Sequence, residues 1–125
     1  KLVGNLLVAS QLVSIGEALT LAKQAKLDLR KVLEVAAVAD FKTPIYAGVG
    51  AGVIKGDYEV NFPLKLMLKD AKLIQAFAAR FNTPVTIAKT TESLAKAGVD
   101  AGLGELNASA IVKVIADQSG VDLVE

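Results

Sequence analysis

The sequence contains no cysteine, no histidine and no tryptophan, and only one methionine. Without cysteine there are no disulfides, no thiolate nucleophile and no sulfur ligands for a structural zinc site. Without histidine there is no Ser-His or Cys-His pair, and the side chain that ordinarily titrates near neutral pH is missing. Any proton chemistry falls to Lys, Asp, Glu or Tyr. Charge of one sign is scarce as well: 14 basic and 13 acidic residues leave a net charge of +1, and the basic residues are scattered. Neither nucleic acid nor an anionic membrane surface is an expected partner.

What is abundant is aliphatic. Apolar residues make up 53% of the chain, and only 5% of residues are aromatic. At 125 residues the chain fits one domain, residues 1–125, with side chains enough for its own core. The opening stretch lacks the charged, apolar and small-residue order of a signal peptide. Asn5, Ser10, Gln11, Ser14 and Glu17 interrupt it, and a membrane span needs about 20 mostly apolar residues. A soluble, cytoplasmic chain without a membrane partner is expected.

Periodicity and caps predict an all-α fold of about six helices. The first and longest runs from about Leu2 to Lys26. Asp28 caps a second, with Leu29, Val32, Leu33 and Ala36 on one stripe. Thr43-Pro44 starts a third that ends near Gly56. Asp57 to Phe62 is an extended connector. Pro63 opens a fourth helix reaching about Phe81. Thr83-Pro84 starts a fifth, with Ile87, Thr91, Leu94 and Ala95 on its stripe and Gly98 as its stop. Asn107 caps a sixth, closed by Gly120, and the last five residues are expected to fray.

Polar residues that fall on apolar stripes mark the candidate site. Lys1 and Asn5 share a row with Val8 and Leu12, although the helix dipole disfavours a lysine at a helix start. Asp70 shares a row with Leu66, Leu73 and Phe77 and so faces the core, as a structural ion pair, as a cap for another helix end or as a site residue. Lys65, Lys69 and Lys72 form a neighbouring face, which for Lys65 and Lys72 reads as solvated surface. The glycines of GVGAGVIKG, Gly48 to Gly56, satisfy neither G-x-G-x-x-G nor G-x-x-x-x-G-K-[ST], and no strand precedes them. They are rejected as a phosphate cradle and read as a loose helix. The first helix is apolar on several faces, with Ala9, Ser10 and Gly16 small enough for a close partner helix, so association is expected.

Three motifs in order, KLVGN at Lys1 to Asn5, FPLKLMLKD at Phe62 to Asp70 and AGLGELNASA at Ala101 to Ala110, make the chain resemble the C-terminal helical domain of the β-hydroxyacid dehydrogenase family, which includes 3-hydroxyisobutyrate dehydrogenases and glyoxylate/succinic semialdehyde reductases. The resemblance spans essentially the whole chain and implies a fold like the C-terminal domain of 6-phosphogluconate dehydrogenase. It implies that Lys1 is the catalytic proton donor, that Asn5 holds substrate, that Phe62 and Asp70 shape the substrate site, and that Lys69 reaches the cofactor. It further implies NAD or NADP as cofactor, no metal, a small hydroxyacid or aldehyde substrate, and a homodimer or homotetramer. Asn107-Ala108 stands where the family has Asp-Phe, which removes a packing aromatic. The family's N-terminal dinucleotide-binding domain is not in this sequence, so the chain is expected to be one domain of a larger enzyme and inactive alone. The alternative is a stand-alone helical dimerisation module without catalysis.

Overall fold

A long apolar helix must be covered on several sides, and this requirement organises the domain. In the computed structural model, which describes residues 1–125, α1 (Leu2–Gln24) packs against all five other helices: α2 (Leu29–Val38), α3 (Pro44–Ile54), α4 (Leu64–Ala79), α5 (Thr86–Asp100) and α6 (Ala110–Gln118). The only β pairing is an isolated antiparallel bridge between Pro63 and Asn107. The all-α expectation holds.

The core runs along α1 through Ala9, Leu12, Ile15, Leu19 and Ala22 and meets Leu29, Val53, Leu64, Ile111 and Val112. Ala9 and Gly16 of α1 serve this internal packing, whereas Ser10 bonds back to Leu7 O on the exposed side. A Cβ on Gly16 would lie 2.8 Å from Ile115 Cδ1 and 3.2 Å from the Val112 Cα, so α6 crosses α1 where only hydrogen fits. Gly50, within the glycine-rich segment, lies against Leu33 of α2.

Local signals set most helix starts. The Asp28 carboxylate accepts from Arg30 N and Lys31 N, and Thr43 Oγ accepts from Tyr46 N with Pro44 next in line. For α4, Pro63 offers no side-chain cap. Its first amides donate instead to a distant loop, Leu64 N to Leu106 O at 2.8 Å and Lys65 N to Gly104 O at 3.0 Å.

Several expectations fail for tertiary reasons. The fifth helix begins at Thr86, because Thr83 N is spent on Ala78 O at the end of α4 and Asn82 takes a left-handed φ of 52°. Gly98 does not stop that helix. Its missing side chain admits Leu64 and Val114, while the turn falls at Gly102 with φ 84°. Asn107 does not cap α6, whose first residue is Ala110; its side-chain oxygen accepts from Asn61 N and Phe62 N. On α4 the buried stripe is Leu64, Met67, Ala71, Ile74 and Ala78, and Leu73 and Phe77 point outward. On α5, Ile87 is exposed and Ala88 is buried in its stead.

The C-terminal residues are tied down rather than frayed. Leu123 is buried, Glu125 N donates to Ile54 O at 2.9 Å, and the Glu125 carboxylate accepts from Lys23 Nζ at 3.1 Å. Leu123→Ala should therefore destabilise the domain by about 2–5 kcal/mol in urea unfolding. A loss under about 0.5 kcal/mol, typical of a surface position, would show the tail to be unpacked.

Candidate active site

Four of the five residues singled out in the sequence meet around one cavity of about 340 Å³ between α1, α4 and α5: Lys1, Asn5, Phe62 and Asp70. Helical spacing does the work on α1. Lys1, Asn5 and Ala9 lie one turn apart and line the same wall. Met67, Asp70, Ala71 and Ile74 form the α4 wall, and Ala88 and Thr91 the α5 wall.

Asp70 is the buried charge of the site, at 6% exposure. Its Oδ2 accepts from Asn5 Nδ2 at 2.6 Å, and Lys69 Nζ lies 3.5 Å from its Oδ1. Asp70 is thus half of an ion pair and also a lining residue of the cavity. Lys69 itself is 57% exposed and stands outside the cavity wall. Lys1 is exposed, lines the cavity and takes part in none of the chain's ion pairs. Among the lining side chains one ammonium, Lys1, accompanies one carboxylate, Asp70, which Lys69 also faces from outside the cavity.

Phe62 reaches the cavity because its connector is pinned at both polar groups. Its N donates to Asn107 Oδ1 at 3.2 Å and its carbonyl accepts from Ala108 N at 2.7 Å. Asn107 therefore supports the site from a distance. The sequence signal for this was its type, since a loop Asn bonds backbone amides as readily as it caps a helix. The alanine walls, Ala9, Ala71 and Ala88, carry no chemical signature and become visible only in three dimensions.

A larger concavity of about 550 Å³ lies between α1, α2 and α3, lined by apolar side chains including Leu27, Val35, Phe41 and Tyr46. Its polar groups are already engaged, the Asp28 carboxylate in capping α2 and the Ser14 and Tyr46 hydroxyls with each other at 2.9 Å, and Lys31 is its one cation. Tyr58 lies elsewhere again. Burial, then Asp117 and Asp122, raise Tyr58 above its usual 10.0 and keep its phenol protonated, far from the role of a base at neutral pH.

Residues 1–115 match the family described as the NAD-binding domain of NADP-dependent 3-hydroxyisobutyrate dehydrogenase. The chain is 30% identical over 115 residues to glyoxylate/succinic semialdehyde reductase 2 of Arabidopsis thaliana, covering 92% of this chain and 32% of that protein. It is also 30% identical over 100 residues to the cytokine-like nuclear factor N-PAC of Anopheles gambiae, covering 80% of this chain and 18% of that protein. Among solved structures, 3-hydroxyisobutyrate dehydrogenase from Salmonella typhimurium superposes with a TM-score of 0.85 at 24% identity, over 91% of this chain and 40% of that one, which establishes the shared fold. The chain thus spans a third or less of the length of these two relatives.

Removing the Asn5 amide strands a buried carboxylate oxygen. Asn5→Ala should cost about 1–3 kcal/mol in chemical unfolding. In a double-mutant cycle with Asp70→Ala the two changes should couple by about 1 kcal/mol or more. Simple additivity would show that the hydrogen bond contributes nothing.

Proposed function

The chain belongs to the NAD-binding domain family of NADP-dependent 3-hydroxyisobutyrate dehydrogenase, and from that premise we propose that it is the helical domain of an NAD(P)-dependent β-hydroxyacid dehydrogenase or reductase. In this reading it supplies the proton-donating lysine, part of the substrate pocket and the oligomer interface. The observation that carries it is the meeting of Lys1, Asn5, Phe62 and Asp70 around one cavity.

The family brings a dinucleotide with it, and the fit of this chain to that group is partial. The cavity is small and mostly apolar, and Gly48 to Gly52 lie inside α3 rather than in a strand-to-helix turn. Lys69 is the residue suited to reach the cofactor, being exposed outside the cavity wall and steadied by Asp70. The remaining cofactor contacts belong to a separate N-terminal dinucleotide-binding domain, as in the family at large.

When bound, the cofactor supplies or accepts hydride at the substrate's carbonyl carbon. In the reductive direction the carbonyl oxygen gains negative charge as the carbon–oxygen π bond opens. The Lys1 ammonium hydrogen-bonds that oxygen, then gives it a proton, leaving a hydroxyl on the substrate and a neutral amine that reprotonates from water. Asn5, one turn deeper, holds the substrate with the amide hydrogen and carbonyl oxygen left over from its bond to Asp70. Asp70 fixes that amide and steadies Lys69. Phe62 closes one side of the cavity against water. The same steps in reverse oxidise the hydroxyacid.

The oligomer interface is proposed on the outward side of α1, where Val3 is 68% and Leu7 59% exposed. The second reading is a stand-alone helical dimerisation module without catalysis, and one of the relatives is named a nuclear factor rather than an oxidoreductase.

In the full-length protein that carries this domain, Lys1→Ala should lower turnover of a β-hydroxyacid with NAD(P) about 10²–10⁴-fold. The 125-residue chain assayed beside it should be inactive. Unaltered turnover by the Lys1→Ala protein would overturn the assignment. Sedimentation of the chain at tens of micromolar should give a dimer or larger species, and a 13.0 kDa monomer alone would refute the interface.

A further inference from the structure

Thr91 is the one buried polar side chain of the site whose hydrogen-bonding atom has no partner in the fold. Thr91 is 1% exposed, its Oγ has no hydrogen-bond partner in the fold, and it lines the same cavity as Lys1 and Asn5. A buried hydroxyl left without a partner costs about 1–3 kcal/mol, so a position on an otherwise apolar stripe would be better filled by valine of the same shape. The other α5 residue lining the cavity, Ala88, is apolar, as are Met67, Ala71 and Ile74 of the α4 wall. Thr91 is therefore the only hydrogen-bonding side chain that α5 gives to the cavity.

We infer that Thr91 is a specificity-determining residue of the site, whose hydroxyl pairs with a neutral oxygen on a carbon of the substrate other than the reacting one. The inference rests on the dehydrogenase reading for its substrate class but not for the existence of the contact. A neutral oxygen is required because the α5 wall offers no cation, and Asp70 would oppose a second carboxylate carried that deep. The site thus selects a hydroxyl over a methyl at that carbon. An apolar pocket alone discriminates weakly between such isosteres, whereas a pocket with a waiting hydrogen-bonding group discriminates strongly.

The matched probes are glycerate and 3-hydroxyisobutyrate, which differ by a hydroxyl in place of a methyl at the carbon next to the carboxylate. In the full-length protein, Thr91→Val should lower kcat/KM for glycerate at least tenfold, chiefly through KM, and leave 3-hydroxyisobutyrate unchanged or improved. Thr91→Ser should retain the wild-type ratio. Thr20→Val is the control: Thr20 is also buried without a hydrogen-bond partner but is not a lining residue of this cavity, and its replacement should leave the ratio alone. Both valine variants should unfold at the same or higher denaturant concentration than wild type.

A glycerate-to-3-hydroxyisobutyrate ratio untouched by Thr91→Val overturns the inference, as does a marked loss of stability in that variant, which would make the hydroxyl structural. If neither compound is turned over, the dehydrogenase reading fails and the contact is decided by binding. NMR titration of the 125-residue chain with glycerate should then shift the Thr91 and Ala88 amides in wild type and not in Thr91→Val. Absence of those shifts in wild type overturns the inference.

Discussion

A carboxylate taken almost wholly out of water has to find its hydrogen bonds inside the protein, and Asp70 finds its closest one on another helix. The 2.6 Å bond from the Asn5 amide joins α4 to the first turn of α1 across 65 positions of sequence. That bond fixes the side of α1 that meets α4, and with it the side on which Lys1 emerges. Breaking such a pairing leaves a buried charge uncompensated, so the register of α1 on α4 is specified more tightly than apolar packing alone could achieve. The cavity is what remains between these two helices and α5 because the facing residues are largely alanines.

Helices two and three were legible in the sequence because their starts are set locally. Asp28 and Thr43 accept amides two or three residues on, and nothing remote competes for them. The fourth and fifth helices were harder. Leu64 and Lys65 donate to the 104–106 loop, and Thr83 is claimed by the end of α4, so their boundaries are decided by partners that a local window does not contain. Gly98 shows the same limit from the other side. As a sequence symbol it marks a stop, yet in the fold it is the place where Leu64 and Val114 come close enough to exclude a side chain.

The candidate site was legible to the extent that its polar residues stood against their surroundings. Lys1 at a helix start and Asp70 on an apolar stripe were both conspicuous. Thr91 was not, because threonine on a helical stripe is unremarkable until its oxygen is found without a partner. Asn107 was assigned to the wrong element, since a side chain that bonds backbone amides serves a connector and a helix start equally well. Leu73 and Phe77 share Asp70's row and still face outward, because Asp70 sits at the border of the buried stripe rather than at its centre.

The crossing of α1 by α6 carries a consequence for how the domain is made. Gly16 is matched to Val112 and Ile115, so the tightest seam of α1 closes against residues roughly a hundred positions later, long-range pairing of the kind that slows folding. On a ribosome, at about 5–20 residues per second, α1 would wait several seconds with its aliphatic side uncovered. Nascent-chain binding factors would have that interval in which to recognise it. The domain's dependence on chaperones would then be set by the order of its helices and not by the stability of the finished fold.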